Sequence, residues 1–195
     1  AIFKTMVAMP DTFEIVGYCI PEDEPPLTKP LNSIYASYPQ LTLEQIAADK
    51  TIDCATIETF ERNLTKYATF ALELGLPIHM DKPGGEDLDE FVRLIDIMRE
   101  KNLVFQTGYM YRYNPAVLRC LEHIKNGDIG EIYSINAEMS TYHPVHYKKW
   151  LTNFGGGIMY ILGSHLVDLI VYMLGEPKKI TTFLKHTGLD GVDFE

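Results

Sequence analysis

The sequence predicts an α/β protein: a doubly wound parallel sheet over residues 1–108, then an α+β domain with an open, mainly antiparallel sheet over 109–195. Three observations carry that prediction. Short apolar runs at 13–20, 52–57, 77–80 and 103–108 alternate with amphipathic helical stretches at 61–74 and 86–101, the pattern of βαβ units. A cation stands at a strand-to-helix switch in Asp81-Lys82-Pro83-Gly84-Gly85, where open α/β sheets keep their ligands, outside the carboxyl ends of the strands. After Gly108 the sequence turns aromatic and polar together, and a later stretch alternates as a half-covered strand does.

In chain order, residues 1–9 read as the end of a helix, with Ile2, Phe3, Met6 and Val7 on one stripe and Pro10 as its stop. Phe13 to Ile20 reads as a strand, and the Pro-rich segment up to Pro39 as a loop. Thr42-Leu43-Glu44-Gln45 has capping-box spacing for a short helix through Ala48. A buried strand over 52–57 precedes a helix from Glu61 to Leu74, in which Leu64, Tyr67, Ala68, Ala71 and Leu72 recur at helical spacing before Gly75. Strand 77–80 enters the lysine motif. Helix 86–101 then begins with carboxylates and ends with Arg99 and Lys101, which suits its dipole, and strand 103–108 completes the first domain.

The second domain opens on Tyr109-Met110-Tyr111-Arg112-Tyr113-Asn114-Pro115 and a helix to Asn126 that stops at Gly127. Residues 131–141 alternate as a strand covered on one side. A loop with His143, His146, Lys148, Lys149 and Trp150 leads to Gly155-Gly156-Gly157, a long apolar buried helix to Leu174, and a last strand over 179–185. Two strands and two helices bury too little for a complete core, so this domain is expected to be unfinished in the chain.

Composition narrows the function. The 195 residues are 46% hydrophobic and 23% charged, with 17 basic against 27 acidic side chains and a net charge of −10. With no basic run longer than Lys148-Lys149, binding to nucleic acid or to an anionic membrane is not expected. Cys19, Cys54 and Cys120 are odd in number and widely spaced, which suggests reduced core residues in a cytoplasmic protein. In a dinucleotide fold the glycine fingerprint lies at the first strand-to-helix turn, about 20 residues before the acid that ends the second strand. Here the strand ending near Ile20 takes the second position, so a first strand and glycine turn are expected before residue 1.

Taken together, these residues resemble the glucose-fructose oxidoreductase and inositol dehydrogenase family, Gfo/Idh/MocA. Asp81-Lys82-Pro83 is similar to its Glu-Lys-Pro motif, Tyr109 to Glu138 to its entry into the second domain, and Trp150, Gly155-Gly156-Gly157, Gly163-Ser164-His165 and Asp168 to its active-site helix. The resemblance implies a Rossmann-like first domain, NAD or NADP as cofactor, and hydride transfer to or from a sugar, polyol or related small molecule. Lys82 and His165 are then the catalytic pair: the imidazole takes the hydroxyl proton and the ammonium steadies the oxygen. Glu58, Thr59, Asp81, Lys82, Pro83, Arg112 and Trp150 are the candidate cofactor contacts, and Lys82, His146 and His165 the candidate substrate contacts. The two loop histidines lack a nearby thiol or carboxylate, so no metal is expected.

The sequence departs from the family at three places. Ile161 stands where an acid often precedes the histidine by four residues, and Ile20 where an acid usually closes the second strand, leaving Glu22 or Asp23 to reach the ribose or NADP to be preferred. Thr59-Phe60-Glu61-Arg62-Asn63-Leu64 matches the family's Thr-Pro-Asn-x-x-His stretch in part. Other readings stay open: Arg112 as a structural ion pair, His165 bonded to Asp168 in a core, an enzyme that cleaves glycosides or eliminates through transient oxidation, or a non-catalytic sugar or nucleotide sensor. By family analogy the open sheet of the second domain makes a homodimer or homotetramer.

Overall fold

The computed structural model describes residues 2–25 and 33–183. The chain divides into two units, Ala1–Gly108 and Tyr109–Glu195.

In the first unit, three short strands form a parallel sheet in the order β1 (Ala55–Ile57), β2 (Ile78–Met80), β3 (Phe105–Thr107). Ile57, Met80 and Thr107 lie in register at its carboxyl edge. The helices between them, α3 (Leu64–Glu73) and α4 (Leu88–Glu100), pack on one another and share one core with Ile57, Ile78 and Met80. Leu64, Ala68, Leu72, Met80 and Leu94 are fully buried there. This is what the helical spacing required, because the apolar stripes of two helices and the alternate side chains of the strands meet in one layer. The parallel sheet with helices packed on it is thus as expected, and the helices of the two βαβ units pack on one another.

Local signals placed most elements. α2 (Leu43–Ala48) carries the capping box, with the Thr42 hydroxyl accepting from Gln45 N–H and the Gln45 side chain accepting from Thr42 N–H. Asp87 caps α4 through Glu90 N–H, and the Lys101 ammonium donates to the Glu73 carbonyl to tie the ends of α3 and α4. α1 (Ile2–Val7) buries Phe3 among Tyr18, Tyr35 and Tyr38.

The expected strand 13–20 does not form. Tyr18 makes one isolated parallel bridge to Gln40, donating to the Pro39 carbonyl and accepting from Leu41 N–H. A strand exists only by pairing, and this segment pairs at a single residue. A Cβ on Gly17 would lie 2.7 Å from the Pro39 carbonyl oxygen, so that contact requires glycine.

In the second unit, α5 (Pro115–Asn126) starts with Asn114 as cap and proline in its first turn, and ends at Gly127 with φ +77°. The stretch read as a loop at 143–150 folds instead into α6 (Val145–Leu151). The long apolar helix forms over residues 157–174 as expected but is not uniformly α: Gly156 and Gly157 adopt positive φ at its start, a π turn spans Met159–Gly163, and α7 (Ser164–Leu174) continues it. Nor is it buried throughout, since His165 alone in α7 is fully buried while Val167 and Tyr172 are half exposed. Residues 131–141 and 179–183 form no strand, and the rest of the expected strand 179–185 lies outside the described residues. Tyr133 and Phe183 are 97% and 93% exposed, so the alternation at 131–141 marks a face with no pairing partner among the described residues. Cys54 and Cys120 are exposed and Cys19 half-buried, so the cysteines are free but not core residues: neither strand end nor helix face at those positions is covered.

Candidate functional site

At the carboxyl edge of the first unit's sheet, Asp81 N–H donates to the Ile57 carbonyl and Gly108 N–H to the Met80 carbonyl, which extends the ladder one residue past each strand. The Asp81 carboxylate turns back to accept from Lys82 N–H at 2.8 Å. Pro83 is buried behind it. The next two glycines are required by close packing: a Cβ on Gly84 would lie 2.8 Å from the Phe91 ring, and on Gly85, at φ +84°, 2.7 Å from Thr65 Cγ2. The motif is therefore pressed onto α3 and α4, and Lys82 leaves the sheet from a fixed base.

Lys82 is half-buried. Loss of water drives its pKa below the ordinary lysine value, against the pull of Asp81 and Glu61, which favour the charged form. Glu61, first residue of the turn Glu61–Asn63, is itself pushed up by burial, with Asp81 and Glu24 adding to the effect and Lys82 opposing it. Glu24 accepts from Phe60 N–H through Oε1 at 2.7 Å, while its Oε2 is buried without a hydrogen-bond partner. Burial raises its pKa too.

The other first-unit candidates are engaged locally. Glu58 is exposed and accepts from Ile2 N–H at 3.2 Å, and the Thr59 hydroxyl donates to the Phe60 carbonyl at 3.3 Å. Asp23 is held by Lys66 at 2.5 Å and by the Tyr67 hydroxyl, an anchor of loop 21–25 on α3. Those contacts occupy the carboxylate that would otherwise be free for a ribose.

In the second unit, His165 is 5% exposed. Tyr109 and Tyr111 meet it edge-on, with ring centroids 5.9 and 4.8 Å away and interplanar angles of 88° and 74°. Asp168 gives its carboxylate to Arg112, whose Nε and Nη2 donate at 2.8 and 2.5 Å, so the structural reading of Arg112 is the one its geometry supports. The guanidinium also lies 4.6 Å from the Tyr172 ring centroid. This pair ties the turn Met110–Tyr113 to α7 and so holds both tyrosines against the imidazole. Ile161, at the position of the absent acid, is buried. Trp150 belongs to an aromatic file of His143, Tyr147, Trp150, Phe154 and Tyr160, with successive centroids 4.4 to 6.1 Å apart. His146 is exposed on α6.

Within the first unit the structure gathers Asp81, Lys82 and Pro83, and within the second Arg112 and His165. The sequence reading gave no role to Glu24, Glu61, Tyr109 or Tyr111. For Glu61 a signal existed: an acid four residues past the end of a strand adjacent to the one before Lys82. Among the described residues there is no cluster suited to a metal ion, and no helix is long and apolar enough to cross a membrane.

Residues 117–194 match the family model of the GFO/IDH/MocA C-terminal domain. An uncharacterized oxidoreductase of Schizosaccharomyces pombe is 26% identical over 189 residues, covering 94% of this chain and 50% of that protein. The NADP(+)-dependent scyllo-inositol 2-dehydrogenase of Bacillus subtilis is 24% identical over 141 residues, 71% of this chain and 39% of that one. Among solved structures, a provisionally named oxidoreductase from Bacteroides fragilis superposes with a TM-score of 0.71 at 24% identity, covering 96% of this chain and 52% of that one. The chain spans about half the length of the first of these relatives.

Proposed function

Because this chain belongs to the Gfo/Idh/MocA family, whose relatives are named as oxidoreductases, we propose that it is part of an NAD(P)-dependent dehydrogenase acting on the CH–OH group of a sugar, polyol or related small molecule. The observation that carries the reading is the half-buried Lys82 ammonium on its rigid base at the carboxyl edge of a parallel sheet. The residues there fit a nicotinamide coenzyme: a cation, the Thr59 hydroxyl, and the bare backbone of Gly108 beside Asp81, where a Cβ would come within 3.1 Å of Asp81 Oδ1.

When bound, such a coenzyme supplies the hydride acceptor. The Lys82 ammonium holds the substrate oxygen and stabilises the negative charge it gains as its proton leaves. An imidazole nitrogen of His165 takes that proton, with Tyr109 and Tyr111 fixing the ring's orientation. Pro83, Gly84 and Gly85 keep the lysine from drifting. Trp150 and His146, on α6, serve as cofactor and substrate contacts respectively.

A screen of the full-length protein against neutral sugars and inositols, followed by nicotinamide absorbance with each coenzyme, tests the reading. Net, substrate-dependent reduction of the coenzyme is the expected result. Turnover with the coenzyme returned unchanged, or coenzyme binding with no turnover across the panel, would overturn it.

A further inference from the structure

We infer that Thr65 is a positioning residue for Lys82: its buried methyl is the floor on which the glycine turn after the lysine rests, and its hydroxyl fixes that floor by a bond to Glu90. The inference rests on the reading of Lys82 as a working residue of the site.

Thr65 is the second residue of α3 and is 2% exposed. A hydroxyl so buried needs a partner, and Oγ1 donates to Glu90 Oε2 at 3.0 Å. Glu90 stands in the first turn of α4, where the Asp87 carboxylate accepts its N–H at 3.0 Å. Thr65 is thus tied to the start of the opposite helix, and its methyl lies against the backbone of Gly85. A Cβ on that glycine would come within 2.7 Å of Thr65 Cγ2 and 3.1 Å of Oγ1.

The Lys82 backbone is pinned on both sides. Before it, Asp81 N–H donates to the Ile57 carbonyl at 2.9 Å, and the Asp81 carboxylate accepts from Lys82 N–H at 2.8 Å. After it, Gly85 N–H donates to the Pro83 carbonyl at 2.9 Å, which closes a tight turn resting on Thr65 at Gly85 and on the Phe91 ring at Gly84. Arg62 and Glu86, paired at 2.7 Å, fasten the far end of that turn to the residues before α3. The first flank is held by the sheet ladder. The second is held by side chains, and Thr65, buried and bonded to α4, has little freedom to follow the turn if it shifts. Removing its methyl therefore loosens one flank of the lysine and leaves the other in place.

The test acetylates the folded full-length protein with an N-hydroxysuccinimide ester and follows each lysine by mass spectrometry, with Lys101 at the far end of α4 as internal reference. Thr65→Ser keeps the hydroxyl and deletes the methyl, so the Lys82 rate relative to Lys101 should change by at least about threefold, as when a buried methyl no longer restrains a local opening. Thr65→Val fills both branch positions, and water can replace the lost hydroxyl at the exposed Glu90, so its ratio should stay within about twofold of wild type. An unchanged ratio in folded Thr65→Ser overturns the inference, and so does a Thr65→Val ratio displaced as far as that of Thr65→Ser. Should Thr65→Ser not fold, Gly85→Ala forces the same contact apart from the turn's side: a displaced ratio supports the inference and an unchanged one overturns it. The readout is independent of turnover, so a displaced ratio in a protein without dehydrogenase activity overturns the proposed function and leaves the placing of Lys82 by Thr65 standing.

Discussion

Replacing Arg112 with methionine removes the group that the Asp168 carboxylate is folded around. The Asp168 side chain is 8% exposed and that of Arg112 39%. Removing one partner of a fully buried pair costs about 3–5 kcal/mol, and the partial exposure of the arginine lowers this toward about 2 kcal/mol because water screens and replaces part of the interaction. Loss of the guanidinium from the Tyr172 ring adds about 0.5–1 kcal/mol. Arg112→Met should therefore destabilise the second unit by about 2–3 kcal/mol, read from urea unfolding. Asp168→Asn and the double variant complete a cycle, with an expected coupling of about 1–2 kcal/mol. A coupling below about 0.5 kcal/mol, with all variants folded, would show that the bidentate pair does not hold the turn Met110–Tyr113 on α7.

Two further outcomes follow from the first unit. Leu72 is fully buried between α3 and the sheet, so Leu72→Ala should cost about 2–5 kcal/mol in urea unfolding. Burial raises Glu24 above the ordinary glutamate range, so its share of stability is whole below that range and is lost as the pH rises through the folded value. Stability of Glu24→Gln should accordingly fall less than that of wild type between about pH 4 and pH 8, and parallel profiles would contradict it.

Where chemistry is local, the sequence was legible. The capping box at Thr42, the proline and glycine limits of α5, and the apolar stripe of α3 each act within a few residues, and each element formed near its expected position. The register that lines up Ile57, Met80 and Thr107 follows from such short strands alternating with helices. Strands 13–20 and 131–141 were misread because alternation reports which face could be covered, not whether a partner pairs with it. α6 was missed because the polar loop residues around Tyr147 and Trp150 acquire their helical periodicity from aromatic packing on Phe154. Of the candidate site, the Lys82 motif was legible through its proline and glycines. Glu61 and Glu24 were not, because they lie far apart in sequence and are brought near one another by the hydrogen bond from Phe60 N–H to Glu24, which no local pattern announces.

The central claim is that Lys82 and His165 carry the chemistry. Its most direct test compares Lys82→Ala and His165→Ala for coenzyme binding and for turnover of whichever substrate the screen identifies. Each variant should bind coenzyme within about tenfold of wild type and lose at least about 100-fold in kcat. Wild-type turnover in either folded variant would contradict the account.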